Sequence, residues 1–185
     1  MRSTHDFKGE EEKLPEELLG QNRVFFLPYL MGERSPINDI NARGTFIGMT
    51  MDTTRQNLTL AVLEGVAFGI RDSVEVARKL GINIERSKIC GGGAKSALWK
   101  RIFANVLNMS IDTVETEEGP SYGGAILAAV ACGQWKNVNS AVQELVSVKE
   151  TIEPEPKIAA LYNERYEQFK RIYPAVKELF PQINS

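Results

Sequence analysis

Residues 88–99 read Lys88-Ile89-Cys90-Gly91-Gly92-Gly93-Ala94-Lys95-Ser96-Ala97-Leu98-Trp99, so three consecutive glycines separate a short apolar strand from an amphipathic helix. A strand that turns this tightly into a helix is one unit of the strand–helix alternation that, repeated along the chain, reads as α/β. Glycine also tolerates φ > 0 and lets another molecule come close to the backbone. The helix that follows presents unpaired N–H groups and partial positive charge at its start. Two readings of the turn stand side by side. It can cradle the sugar or phosphate part of a nucleotide, or it can be a tight connection with no ligand, as is common in α/β folds.

The rest of the chain reads as further alternation. Arg23 to Pro28 is a short apolar run and predicts a strand, and Thr45 to Met49 predicts a second. Between them runs a long polar loop, from Gly32-Glu33-Arg34-Ser35-Pro36 to Asn41-Ala42-Arg43-Gly44. A loop of that length inside a domain is functional or disordered. Leu58, Ala61, Val62, Gly65, Val66, Gly69, Val76, Ala77 and Leu80 share one stripe at helical spacing. Thr53 or Thr54 can cap the start of that helix and Gly81 ends it. Gly65 and Gly69 are poor helix formers, so their place on the stripe predicts close approach of a neighbouring element.

Ile82 to Cys90 holds the strand before the glycines, and Ala97 to Leu107 the helix after them, with Leu98, Ile102, Phe103 and Val106 inward. A strand over Ile111 to Val114 follows. Glu117 to Ala125 then leads into an almost wholly aliphatic helix over Ile126 to Cys132, which is expected to be buried. Ser140 to Val146 predicts a short helix, Glu153-Pro154-Glu155-Pro156 a stiff linker, and Ile158 to Tyr173 a final helix that Pro174 kinks or restarts. Residues 1–22 are charged at the start and predict a poorly ordered or appended lead. Residues 23–185 predict the folded domain.

Composition removes several function classes. At 185 residues the chain is one domain, or one with a small appendage, and 43% hydrophobic content supports a real core. A net charge of −2 gives no footprint for nucleic acid or an anionic membrane. No apolar run approaches the length of a membrane span. Cys90 and Cys132 each sit in an apolar stretch, which predicts buried free thiols and a reducing cytoplasm. The sole histidine, His5, lies in the polar lead, so no histidine triad or histidine-rich metal site falls in the folded part. Glu10 to Glu12 read as a solvated charge run. A Rossmann dinucleotide fold is disfavoured, because Gly91-Gly92-Gly93 lacks the G-x-G-x-x-G spacing.

Five segments in order resemble the C-terminal domain of the FGGY carbohydrate kinases, most closely the members acting on xylulose. They are Pro28-Tyr29-Leu30-Met31-Gly32-Glu33-Arg34-Ser35-Pro36, Asn41-Ala42-Arg43-Gly44, Leu63-Glu64-Gly65-Val66-Ala67-Phe68 with Arg71-Asp72, Gly91-Gly92-Gly93-Ala94-Lys95-Ser96, and Glu118-Gly119-Pro120-Ser121-Tyr122-Gly123-Gly124-Ala125. Ser121 and Gly124 depart slightly from the family pattern. The resemblance implies an actin-like, ribonuclease-H-like domain, a mixed sheet with flanking helices, truncated at its N-terminal side. It implies ATP as phosphoryl donor, with Mg²⁺ in the full-length enzyme. Gly91, Gly92, Gly93, Ala94, Lys95 and Ser96 become the implied adenosine loop. The implied partners are an N-terminal sugar-binding domain, the sugar itself and a second copy in a homodimer. Gluconate, ribulose and polyols are the alternative sugars, and a solitary non-catalytic nucleotide-binding domain is the alternative role.

The catalytic aspartate of the family has no counterpart here, because Asp39, Asp52, Asp72 and Asp112 lie outside its motif. Glu33, Arg34 and Arg43 read equally as loop ion pairs or cleft-lining groups. Glu64 and Arg71 read as structural or interface groups. The Gly119 to Gly124 stretch reads as tight packing under the glycine turn, and Trp99, Tyr122 and Trp135 as core or half-buried anchors.

Overall fold

Helix α1, Arg55–Lys79, organises the molecule. In this computed structural model, which describes residues 14–116 and 119–183, its start is fixed by a reciprocal cap. Thr54 Oγ1 accepts from Asn57 N–H at 3.3 Å, and Asn57 Oδ1 accepts from Thr54 N–H at 3.0 Å. Such a box satisfies two of the amides a helix start leaves open. The N-terminal two thirds of α1 carry the buried face: Leu60, Ala61, Leu63, Glu64, Gly65, Ala67, Phe68 and Arg71. The expected stripe does not hold to its end, because Val76 and Leu80 are exposed.

Strands β1 (Phe25–Leu27) and β2 (Thr45–Ile47) form an antiparallel pair with Phe26 opposite Phe46, whose rings lie 4.6 Å apart. Helix α1 lies on β1 at backbone range. A Cβ on Gly65 would collide with the Phe26 carbonyl oxygen, and one on Gly69 would stand 3.3 Å from Pro28 Cγ. The two glycines therefore do what their place on the stripe predicts, Gly65 far more strictly than Gly69.

The second sheet runs in the order β3 (Arg86–Ile89), β4 (Ser110–Val114), β5 (Val148–Ile152). β3 and β4 are parallel, with Ser87 opposite Ile111; β4 and β5 are antiparallel, with Asp112 opposite Thr151. β5 adds a strand that the sequence reading lacks. Helix α2, Ala97–Leu107, crosses from β3 to β4 and buries Ile102, Phe103, Ala104, Val106 and Leu107. Its C-terminal carbonyls are met by two arginines of α1: Arg71 donates to Val106 O at 2.9 Å and Arg78 to Leu107 O at 2.8 Å. Cations there complement the negative end of the helix.

Helices α3 (Gly119–Ala131) and α4 (Val138–Leu145) form a pair, and Tyr122 OH donates to Leu145 O at 2.9 Å. The expectation that α3 is buried is corrected: Ile126 alone is buried and Leu127 is 58% exposed. The helix is apolar all round, so composition names no face to cover, and α4 covers only one side. The cysteines are corrected likewise. Cys90 leaves an exposed strand and Cys132 follows the exposed α3, so both thiols are exposed.

The Glu153–Glu155 linker is clamped rather than free. Glu155 receives Arg101 Nη2 at 2.9 Å, and its amide donates to Asn105 Oδ1 at 2.7 Å. Helix α5 (Pro156–Phe169) then returns to the core, followed by short helices α6 (Ile172–Val176) and α7 (Phe180–Ile183). Pro174 sits inside α6, after the chain has restarted from α5. One hydrophobic core joins Leu27, Leu60, Phe68, Ile102, Val106, Ile111, Tyr162 and Phe169. Leu14 and Leu19 are buried in it, and these side chains plug the core edge. His5 and Glu10 to Glu12 lie outside the described residues.

Candidate functional site: the cleft at the glycine turn

β3 ends at Ile89, and the backbone leaves the sheet through Gly91 at φ +81° and ψ −163°, a conformation that side-chain-bearing residues rarely adopt. Gly92–Lys95 make one tight turn, with Ala94 N–H donating to Gly91 O at 3.1 Å and Ser96 N–H to Gly93 O at 3.2 Å. Ser96 then caps α2 by accepting from Trp99 N–H at 3.0 Å.

Beside the turn opens a cleft of about 290 Å³. It lies past the carboxyl ends of the parallel strands β3 and β4, the place where open α/β sheets bind ligands. One wall is Cys90, Gly91, Ala94 and Lys95; the others are Lys100 of α2, Thr113 and Val114 of β4 with Thr116 beyond it, and Lys149 and Glu150 of β5. Lys95, Lys100 and Lys149 stand against the single carboxylate of Glu150, so this lining is net positive. Lys100, only 12% exposed, is ion-paired to Glu150 across the cleft. The lining suits an anionic ligand that presents flat apolar surface to the turn.

The six residues of the implied loop divide. Gly91, Ala94 and Lys95 line the cleft. Gly92 is exposed with open space where a Cβ would stand. Gly93 faces the other way, with a would-be Cβ 3.0 Å from the Trp99 ring. Ser96 is engaged as the helix cap. The sequence reading lacks the wall supplied by Lys100, Thr116, Lys149 and Glu150; α2 carries Lys100 there, and the pairing of β5 with β4 brings Lys149 and Glu150. Gly119 packs under the turn, its would-be Cβ 2.6 Å from Cys90 Sγ, whereas Gly123 and Gly124 meet open space.

The other singled-out residues serve the framework. Glu64 is buried and accepts from Arg165 Nη2 at 2.9 Å, while the same arginine reaches Val24 O at 3.3 Å. Burial pushes the Glu64 carboxyl up to about 7, against the opposing pull of Arg165. Asp72 accepts from Tyr166 OH at 2.6 Å, and burial raises its pKa although that hydrogen bond opposes the shift. Asp39 accepts from Tyr173 OH at 2.8 Å, and this bond first, then the Asn41 amide, holds its carboxyl below the usual range. Asp112 is buried between Arg86 and Thr151. Asp39 and Tyr173 thereby tie the long loop to α6, and Arg43 folds back on the carbonyls of Ile40 and Ala42. Glu33 accepts from the Ser35 amide at 3.0 Å. Trp99 and Trp135 are both half-buried, with indole N–H groups donating to Leu63 O and Glu144 respectively.

Among the described residues no group of three or more acidic, histidine or cysteine side chains could hold a metal ion. None of their helices is long and apolar enough to cross a membrane.

Comparison with known proteins fits this geometry. Residues 6–132 match the model of the FGGY family of carbohydrate kinases, C-terminal domain. A xylulose kinase of Staphylococcus epidermidis is 38% identical over 161 residues, which cover 87% of this chain and 32% of that protein. A ligand-bound xylulose kinase from Lactobacillus acidophilus superposes with a TM-score of 0.85 at 29% identity, over 96% of this chain and 36% of that one. A gluconate kinase from the same organism gives a TM-score of 0.84 at 29% identity, with 96% and 35% covered. The chain thus spans about a third of the length of the relatives it matches. The mixed α/β fold is that of the actin-like sugar kinases, and the chain belongs to the FGGY family of carbohydrate kinases as its C-terminal domain.

Proposed function

We propose that this chain forms the adenosine-holding wall of an ATP-dependent sugar kinase, with xylulose as the sugar. The observation that carries the reading is the meeting of Gly91, Ala94 and Lys95 with a lysine-rich cleft past the ends of β3 and β4. Open space beside Gly91 and Gly92 lets a flat nucleoside approach the backbone. Lys95, Lys100 and Lys149 supply positive charge toward the phosphates. ATP contributes the transferable phosphoryl group. Mg²⁺ would accompany the phosphates. The base that takes the sugar hydroxyl proton, and the sugar pocket, would come from an N-terminal domain, as phosphoryl transfer needs both positioning and charge stabilisation. Asp39, Asp72 and Asp112 are committed to tyrosine, arginine and threonine partners and do not fill the role.

The test is a chimera in which this chain replaces the matching third of the Staphylococcus epidermidis xylulose kinase. The chimera is expected to phosphorylate xylulose, and Gly91→Val in it to raise KM for ATP far more than KM for xylulose. The isolated chain is expected to release no ADP from ATP, Mg²⁺ and xylulose. Sugar-dependent turnover by the isolated chain, or a folded Gly91→Val chimera that loses xylulose but not ATP affinity, overturns the reading. The likeness to a gluconate kinase favours gluconate as the second reading. Faster turnover of gluconate than xylulose by the full-length protein would decide for it.

A further inference from the structure

Trp99 ties the glycine turn to α1 and to the core. Its six-membered ring lies under the glycine turn: a Cβ on Gly93 would stand 3.0 Å from both Cε3 and Cζ3. Its indole N–H donates to Leu63 O of α1 at 3.1 Å, with a sequence separation of 36 residues. Its own amide donates to Ser96 Oγ, the cap that closes the turn. Behind it the ring tilts against Phe103 at 5.6 Å, which joins it to the core. A side chain needed only for core packing would be served by any large apolar residue. This one also spends its polar atom on a helix carbonyl outside its own element, and it occupies the space that Gly93 leaves by lacking a Cβ. Gly93 has no positive φ, so the conformational freedom of glycine does not explain its presence. Room for Trp99 does.

We propose that Trp99 is the positioning residue of the nucleotide turn. Its ring is the floor that fixes the height of Gly91–Lys95 over the cleft, and the Leu63 bond ties that floor to α1. Gly93 and Trp99 form one complementary pair, so a larger residue at 93 is excluded by the ring and not by the ligand. The inference rests on the reading of the turn as the adenosine site, and it adds which residue sets the turn's position.

The experiment titrates ADP into the 185-residue chain by calorimetry and follows folding by circular dichroism. Trp99→Leu is expected to weaken ADP binding about tenfold, the scale of one lost positioning contact. Gly93→Ala is expected to weaken it similarly in the parent, and to cost little more in the Trp99→Leu background, because the smaller side chain makes room for the added methyl. Phe103→Leu loosens the core behind the same ring without touching the turn. It is expected to lower the melting temperature and leave ADP affinity unchanged. Should Trp99→Leu not fold, Trp99→Phe keeps an apolar ring and removes the Leu63 bond, and its ADP affinity is read instead. Parent-like ADP affinity in a folded Trp99 variant overturns the proposal and leaves the adenosine reading standing. An undiminished Gly93→Ala penalty in the Trp99→Leu background, or equal weakening by Phe103→Leu, does the same. A parent chain that binds no ADP overturns both.

Discussion

Helices α2 and α3 both carry many apolar residues, yet they end in opposite places. α2 mixes Lys100, Arg101 and Asn105 with its apolar residues and buries six consecutive positions, Ile102 to Leu107. α3 contains no charged residue over Gly119–Ala131 and buries only Ile126. The difference teaches that burial follows coverage and not composition. α2 is enclosed by α1, by α5 and by the sheet, and its polar groups are bonded: Arg101 to Glu155, Asn105 to the linker amide. α3 has α4 and the Cys90 turn beside it, and its small side chains offer no ridge to fill a neighbour's groove.

The sharpest attack on this contrast removes a side chain from the enclosed helix. Ile102→Ala, at a fully buried position, is expected to cost about 3–4 kcal/mol in urea unfolding. A loss under about 1 kcal/mol would mean that the enclosure is loose. Next comes the seat of α1 on β1. Gly65→Ala drives a methyl group into the Phe26 carbonyl and is expected to cost about 2–3 kcal/mol. Gly69→Ala, with 3.3 Å to the edge of Pro28, should come out near neutral, because the gain in helix propensity of about 1 kcal/mol offsets the squeeze.

A smaller effect comes from acid–base linkage in the same core. Folded Glu64 keeps its proton up to about pH 7, whereas an unfolded glutamate loses it near 4.5. The folded state therefore binds more protons between those values, and stability falls as pH rises through that window. Glu64→Gln should flatten the slope between pH 4.5 and 7; an unchanged slope would assign it to other groups. The smallest effect belongs to the uncovered helix. Leu127→Ala, at a site 58% exposed, should change stability by less than about 0.5 kcal/mol. A large loss there would show that α3 is held by more than α4.

These contrasts mark what the sequence alone could carry. The Thr54 cap, the stop at Gly81 and the glycine seat of α1 are local or periodic, so they were legible before any coordinates. β5 was not. Val148-Lys149-Glu150-Thr151-Ile152 has an exposed pattern with no apolar alternation, and its strand character comes only from pairing with β4. The cleft divides the same way. Gly91, Ala94 and Lys95 announce themselves in a motif, while Lys149 and Glu150 reach the site through the register of that unforeseen strand. The burial of α3 was misread because an all-apolar helix carries no stripe from which to tell a covered face from a bare one.

The Glu64–Arg165 pair spans 101 residues of chain. On a ribosome adding about 5–20 residues each second, Glu64 waits roughly 5–20 s before its guanidinium partner has even been synthesised. During that interval α1 is made without α5, whose Tyr162, Tyr166 and Phe169 pack against its Phe68. The arrival of α5 then supplies the arginine together with Tyr162, Tyr166 and Phe169 in one stroke. The face of α1 that packs against α5 thus stays uncovered until that helix has been made.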